Sequence, residues 1–318
     1  MQTFILAGGF ATRLWPLTEK RAKPLLPLAG KTIITHLLEK IPSEIPVTVS
    51  TNAALAEGFR RWKETIERPV ELIIEQTRKD EHKLGALGAV AAWIEASHLD
   101  DDLLLLTGDN YLGFSLEEFL RAFHPPHALL AAHDIENLAH ASSFGTVLTD
   151  PSDSRRVIGF EEKPKEPRTT LVSTGCSILP RTALPIVREF AAKQPENVGG
   201  IFEELLRQNV AVDCFTFHEP WLDIGSFASY LQAHRLLVGE QALVDADATL
   251  ETTACTGSVS VAAGSRVIGS ELCDTLVFER CAITNCTLRD CVIDEECVLE
   301  GVDLRGKMIR AGTVLKLG

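Results

Sequence analysis

No stretch of about 18 apolar residues occurs in this chain, which excludes a membrane-spanning helix. A basic n-region is also missing: MQTFILAGG opens directly on a strand-like segment, so it reads as mature sequence, and a cytoplasmic location is expected. Positive charge is in short supply. Lysine and arginine number 31 against 44 aspartates and glutamates, leaving a net charge of -13. A surface of that sign repels nucleic-acid backbones and argues against a general DNA or RNA binder. It leaves room for an anionic small substrate held in a local basic pocket. There is no CxxC pair, and no histidine follows His234, so zinc-ligand spacing is absent. The 8 cysteines, six of them between 255 and 297, are therefore read as small buried thiols.

What is present is a chain of 318 residues, enough for one large domain or two ordinary ones. Strand-like and helix-like patterns alternate through the first 240 residues or so. TFILAG (3–8), VTVST (47–51), VELIIE (70–75) and DDLLLLTGDN (101–110) read as strands. TIITHLLEKI (32–41), AALAEGFRRWKETI (53–66) and LGALGAVAAWIEA (84–96) read as helices. This order predicts an α/β domain with a mainly parallel sheet covered on both faces over residues 1–240. Glycines and acids fall at strand C-terminal ends, where open α/β sheets bind ligands. From about Ala242 short apolar pairs recur every five to six residues: Val267-Ile268, Leu276-Val277, Val292-Ile293, Val298-Leu299, Val314-Leu315. That period predicts a short left-handed parallel β-helix over 241–318, with an irregular antiparallel β domain as the alternative.

The chemistry concentrates in LAGGFATRLWPLTEKRAKPLLPLAGK, positions 6–31. Gly8 and Gly9 follow a strand, so the backbone can turn sharply and bring its N–H groups to phosphates. Arg13 can offer a planar fork to phosphate oxygens. Lys23 adds a second charge on a segment stiffened by Pro24 and Pro27. Two better-known phosphate loops do not fit. Gly30-Lys31-Thr32 has the tail of a Walker A motif, but the glycine needed at 25 is a leucine. A dinucleotide fingerprint would need glycine where GGFATR has Phe10 and Ala11.

L-A-G-G-x-x-T-R-L-x-P-L-T followed by K-P-L-L-P resembles the signature of the sugar-1-phosphate nucleotidyltransferases, which make nucleoside-diphosphate sugars from an NTP and a sugar 1-phosphate. The resemblance covers about the first 235 residues and implies a Rossmann-like, GT-A-like mixed sheet. It implies nucleotide contacts at Leu6, Ala7, Gly8, Gly9 and Thr12. Gln76, Gly85 and Gly88 are similar to the family's base-reading segment, where a carboxamide can match N3–H and O4 of uracil or thymine. Leu106-Thr107-Gly108-Asp109-Asn110 and Trp221-Leu222-Asp223-Ile224-Gly225 resemble the two motifs that supply metal-binding carboxylates. Asp109 and Asp223 are thus implied ligands of Mg²⁺, an ion that prefers oxygen donors. Gly145, Glu162, Lys163 and Thr174 lie in segments similar to the sugar-phosphate side. The chain departs from the family pattern at Ala11 and Ala86, where glycine and threonine are usual, and at STGCSIL. Trp15, Trp62 and Trp93 are read as packing residues, and the histidines (His82 among them) as surface or packing residues.

The implied reaction is in-line attack of a sugar-phosphate oxygen on the α-phosphorus, with Arg13 and Lys23 as the catalytic cations. The first substrate pair to expect is dTTP or UTP with glucose 1-phosphate, and GTP with mannose 1-phosphate is the alternative. A non-catalytic nucleotide-sugar-binding regulatory subunit is the competing class. The β-helix has no histidine to serve as an acyltransfer base, so it is read as an appendage for assembly, giving a homo-oligomer, dimer or tetramer.

Overall fold

The computed structural model describes residues 1–9, 11–76 and 84–317, so Phe10 and His82 lie outside the described residues. The chain packs as two compact units, residues 1–9 with 37–221, and residues 10–36 with 222–318.

The first unit is built on a nine-stranded sheet. Its strands are β1 (Gln2–Leu6), β2 (Val47–Asn52), β3 (Glu71–Glu75), β4 (Leu103–Thr107), β5 (Ala128–Asp134), β6 (Gly145–Asp150), β7 (Asp153–Glu162), β8 (Leu171–Leu179) and β9 (Val212–Phe217). Their order is β3-β2-β1-β4-β8-β5-β9-β7-β6. β3, β2, β1 and β4 run parallel. β8 is antiparallel to β4 and β5, and β7 is antiparallel to β9 and β6. β9 runs parallel to β5, so the sheet is mixed, and its four-stranded parallel run lies at the chain's start, as the strand–helix alternation predicts.

Burial explains the sequence texture. LLLLT of β4 buries four consecutive leucines, the pattern of a strand covered on both faces. Helices α1 (Ala56–Glu64) and α2 (Ala86–Ala96) turn Phe59 and Trp62, and Leu87, Val90 and Trp93, inward. Helices α3 (Leu184–Lys193) and α4 (Gly200–Arg207) add Val187 and Leu205 to the core that holds Phe4, Leu105 and Leu130. The chain leaves β1 outward through β2 and β3, then returns to place β4 on the opposite side of β1. The topological switch point is thus at β1, and the crevice it opens lies beyond the strand ends at Leu6, Asn52 and Thr107.

The second unit contains the parallel β-helix. Its strands stack in register in three ladders. One runs Leu250, Val267, Ile283, Leu299, Leu315. A second runs Cys255, Leu272, Leu288, Leu304. A third runs Val244, Val261, Val277, Ile293, Ile309. These are the apolar positions of the near-six repeat, and the first coil strand is Ala242–Val244. Cys281, Cys286, Cys291 and Cys297 are buried free thiols between the ladders. The Cys281 and Cys297 thiols reach the carbonyls of Asp294 and Arg310 at 3.1 and 3.2 Å, as corner hydroxyls do elsewhere in the stack, where Ser265 Oγ reaches Phe278 O at 2.7 Å. Helix α5 (Phe227–Val238) starts on a capping box of Ser226 and Ser229. Among the described residues no helix is long and apolar enough to cross a membrane.

Candidate functional site

Where β1 ends, the backbone itself makes the site. Ala7 N donates to Ser50 O at 2.9 Å and Gly108 N to Leu6 O at 2.8 Å, tying the three parallel strand ends together. Asn52, buried at the end of β2, donates from Nδ2 to Gly8 O at 2.7 Å. Its Oδ1 accepts from Ala54 and Leu55 N at 2.9 and 3.1 Å, which opens the turn into α1. One side chain thus holds the glycine turn and the following helix together. A strand-final asparagine was the available signal, but nothing in its spacing marks this role.

A pocket of about 230 Å³ lies over these strand ends. Of the residues expected there, Leu6, Gly8, Gly9, Gly85 and Asp109 line it. Ala7 is buried in the strand-end hydrogen bonding. Gly88 is directed at Pro195, and its N–H donates to the Pro195 carbonyl at 3.1 Å. Gln76 is exposed, and its Nε2 meets Ile74 O at 3.4 Å, so its carboxamide is not part of the lining. Instead its neighbour Glu75 lines the pocket, with Oε1 accepting from Leu84 N at 2.6 Å, and Glu196 and Val198 face it from the segment after α3. The lining carries the carboxylates of Glu75, Asp109 and Glu196 and, among the described residues, no lysine or arginine.

Asp109 is held by its neighbour. Asn110, buried, donates from Nδ2 to Asp109 Oδ1 at 2.9 Å and to Thr107 Oγ1 at 2.6 Å, while its Oδ1 accepts from Trp221 Nε1 at 2.8 Å. The GDN turn is therefore a fixed carboxylate mount rather than a loop tip. Gly175 (φ +73°) belongs to the same arrangement, since a Cβ there would overlap the Thr107 hydroxyl.

The sugar-side residues form a second cluster in the same unit. Glu162 pairs with Gly145 across β7 and β6. A Cβ on Gly145 would lie 3.0 Å from Glu162 Oε2, and one on Gly199 would overlap it. Two glycines thus leave the room in which the carboxylate sits, at the start of α4. Burial pushes the Glu162 carboxyl up from its usual range; Lys163 opposes this at 3.5 Å and Glu203 adds to it. Glu203 Oε1 also accepts from Glu162 N at 3.0 Å. Lys163 is exposed, with a left-handed backbone (φ 45°) fixed by its N–H to Phe144 O at 3.1 Å. Thr174 does not join this cluster by its side chain: it is buried in β8, and its hydroxyl donates to Ala131 O at 3.0 Å. Gly199 and Glu203, in NVGGIFEE, escaped the sequence reading. A pair of glycines opening a helix was the signal.

The second unit carries the remaining expected residues. Thr12 and Arg13 are exposed on a 3₁₀ turn, Thr12–Leu14. Ala11, standing where the family pattern has glycine, takes the left-handed conformation (φ 45°, ψ 48°), and Thr18 Oγ1 donates to its carbonyl at 2.9 Å. Lys23 is half-buried at the head of a second 3₁₀ turn, Lys23–Leu25, with Pro24 at its second position. Gly30-Lys31-Thr32 forms no phosphate loop: Leu28 pairs with Lys31 and Pro27 with Thr32 in a small hairpin. Asp223 is followed by Gly225, whose missing Cβ would lie 3.4 Å from the carboxylate. The tryptophans divide. Trp62 and Trp93 are buried, as expected for packing, but Trp15 is 60% exposed, so the packing reading fails there. It sits next to the turn that carries Arg13 and contributes no core area.

A glycine turn at the switch point, a mounted carboxylate and a second carboxylate in a glycine-made recess together define a nucleotide-binding α/β transferase. The nucleotidyl transferase family model matches residues 2–239, and the chain belongs to that family as a sugar-1-phosphate nucleotidyltransferase. It is 26% identical to the glucose-1-phosphate thymidylyltransferase of Streptomyces antibioticus over 86% of this chain and 76% of that one. It is also 26% identical to the mannose-1-phosphate guanylyltransferase of Mycobacterium tuberculosis, over 86% of this chain and 79% of that one. A crystal structure from Bacillus anthracis, assigned provisionally as a glucose-1-phosphate thymidylyltransferase and solved with a sucrose, superposes with a TM-score of 0.66. That match spans 76% of this chain and 96% of the other at 21% identity, and it supports the fold.

Proposed function

We propose that the chain joins an NTP to a sugar 1-phosphate with release of pyrophosphate, binding the nucleoside end in the pocket over β1. The observation that carries this is the pocket itself, with its glycine walls and the fixed Asp109 carboxylate on its floor. A sugar-phosphate oxygen attacks the α-phosphorus, the bond from that phosphorus to the β-phosphate oxygen breaks, and pyrophosphate leaves. The obstacle is repulsion between two polyanions. Arg13 would hold the β- and γ-phosphates and the departing pyrophosphate, and Lys23 the α-phosphate. Glu162 would accept hydrogen bonds from sugar hydroxyls, and Lys163 would hold the sugar phosphate.

Asp109 and Asp223 suit a hard divalent cation such as Mg²⁺, which takes a few carboxylate oxygens and completes its shell with substrate oxygens and water. Asp109 is oriented by Asn110, and Gly225 leaves no Cβ beside the Asp223 carboxylate. When bound there, Mg²⁺ would screen charge between the phosphates. Everything else is positioning by the chain's own residues.

The base is read from pocket chemistry. The Gln76 carboxamide, which would match thymine or uracil, is turned to the surface, while Glu75 and Glu196 face the pocket. Carboxylates accept only, so they match the N1–H and 2-amino group of guanine better than the mixed edge of a pyrimidine. A carboxylate of the lining would serve GTP, the base of the pair with mannose 1-phosphate, and a reoriented Gln76 would serve dTTP or UTP, the bases of the pair with glucose 1-phosphate. The test is pyrophosphate release with Mg²⁺ over five NTPs crossed with glucose, mannose, galactose and N-acetylglucosamine 1-phosphates. One dominant pair establishes reaction and substrates together. Folded protein that binds nucleotide but releases no pyrophosphate in any mixture refutes catalysis and leaves the regulatory-subunit reading.

A further inference from the structure

The residues between Arg13 and the hairpin pack in the same compact unit as the β-helix, not with the sheet. They are clamped to that unit at three points. Arg310, on the coils, donates from Nε and Nη2 to the two oxygens of Glu19, each at 2.6 Å. Arg21 lies over the Phe278 ring with its guanidinium carbon 5.1 Å from the centroid. Its Nη atoms face three coil carboxylates: Glu295 at 3.5 Å, Asp294 at 3.6 Å and Glu279 at 3.9 Å. Farther along, the buried Tyr230 hydroxyl of α5 donates to Pro27 O.

The Arg21 contact is the unusual one. The Asp294 side chain is 8% exposed, and its Oδ1 also accepts from Glu295 N at 2.8 Å. Arg21 Nη1 and Glu279 Oε2 are buried without a hydrogen-bond partner. Three acids thus surround one guanidinium at ion-pair range without closing into hydrogen bonds. Such a partly desolvated cluster is a poor way to add stability. It does fix where a backbone segment lies. Lys23 is two residues away, on the 3₁₀ turn made rigid by Pro24 and closed by Leu26 N onto Lys23 O at 3.0 Å. Displacing Arg21 therefore displaces the base of the Lys23 side chain.

We infer that the β-helix is a positioning element for the reaction, with Arg21, held over Phe278 among Glu279, Asp294 and Glu295, setting the place of Lys23. The inference rests on the reading of Lys23 as a phosphate-contacting cation. Arg21 itself is a positioning residue, reaching substrate only through Lys23.

The experiment compares kcat and KM for both substrates in Arg21→Ala, Lys23→Ala, the double variant and Asp294→Asn, with thermal unfolding of each. Arg21→Ala is expected to lower kcat by about ten- to a hundredfold, the scale of a small misplacement of a reacting group. The NTP KM should stay within about twofold, because the pocket over β1 is untouched. The double variant should turn over no more slowly than Lys23→Ala alone, since residues acting as one unit are not additive. Asp294→Asn keeps shape and the Glu295 contact while removing one charge; a kcat loss in the same direction carries the inference if Arg21→Ala fails to fold. Multiplied losses in the double variant overturn it, because a merely structural defect would add to the loss of Lys23. So does full turnover in folded Arg21→Ala and Asp294→Asn. Wild-type turnover in Lys23→Ala is a different result: it removes the catalytic reading of Lys23, and the positioning role falls with it.

Discussion

Glu162 keeps its carboxylate where two glycines leave room for it, and this makes Gly199 a sharp probe. Its backbone is helical (φ -69°, ψ -36°), so alanine fits the chain conformation without strain. The main conflict is between the new Cβ and the Glu162 carboxylate, with Phe160 Cε1 next at 3.3 Å. Gly199→Ala should therefore raise the KM for sugar 1-phosphate by about tenfold, the worth of a displaced hydrogen-bonding carboxylate. NTP affinity, measured by titration calorimetry, should hardly change. An equal loss for both substrates would mean that the α4 start, not Glu162, had been disturbed. A pH dependence follows from the same burial. The carboxyl is raised above the usual glutamate range, so its ionised, accepting form is present above that raised value and lost as pH falls through it. Sugar-phosphate KM should rise on the acid side at a pH above that of an ordinary glutamate, and Glu162→Gln should abolish that limb. Glu162 and Lys163 could be singled out from EEKP because two charges before a proline follow a strand. Gly199 could not, because its importance comes from an oxygen more than thirty residues away in the chain.

The entry to α2 shows how an element can differ from its motif. Gly85 (φ +82°) and Gly88 look alike in LGALGA, yet they do different things. Pro195 O accepts from Leu87 N at 2.8 Å and Gly88 N at 3.1 Å, so these first-turn donors of the helix are already satisfied and do not serve as a phosphate cradle. A Cβ on Gly85 would lie 2.5 Å from the Pro195 carbonyl oxygen, at a backbone angle that alanine avoids. Gly85→Ala is expected to cost about 2 kcal/mol of stability and to weaken NTP binding by deforming the pocket wall. Gly88→Ala would bring its Cβ only to 3.3 Å from Pro195 Cβ, and the better helix propensity of alanine offsets about 1 kcal/mol of crowding. Denaturant titration of both variants checks the contrast; equal destabilisation would refute it. Elements with a strong period were legible in the chain: β4 as LLLL, α2 as an apolar helix, and the Val267-Ile283-Leu299 ladder as a near-six repeat. What was not legible needed partners distant in sequence. The Pro195 contact, the Asn110–Trp221 bond and the Arg21 cluster each join segments about a hundred residues apart or more. No local spacing announces them. Gln76 is the opposite case: its carboxamide meets Ile74 O, and the residue of that segment that lines the pocket is its neighbour Glu75.

At the scale of the molecule, the acid surplus makes function depend on few cations, and stability depend on groups buried against their charge. His234 on α5 is the clearest of these. It is fully buried, and that burial lowers its pKa to about 4. The Ser258 backbone and Asp274 favour its charged form and Arg235 opposes it, but desolvation dominates. In the unfolded chain a histidine titrates near 6.5. Between those two values the unfolded state binds more protons than the folded one, so stability is complete above about 6.5 and falls as pH drops toward 4. The full loss is on the order of 3 kcal/mol, at a slope of no more than about 1.4 kcal/mol per pH unit. Asp294 works the other way: burial raises its carboxyl, so protonation on acidification favours the folded state and blunts part of the fall. The two can be separated by substitution. His234→Leu keeps an apolar side chain of similar bulk and removes the ring, so its unfolding midpoint in urea should depend less on pH between 7 and 4.5 than that of the parent protein. Asp294→Asn should steepen that dependence, because it removes the compensating group and leaves the histidine. Parallel pH profiles for the parent and His234→Leu would show that the acid sensitivity of the fold lies in its surface carboxylate pairs instead.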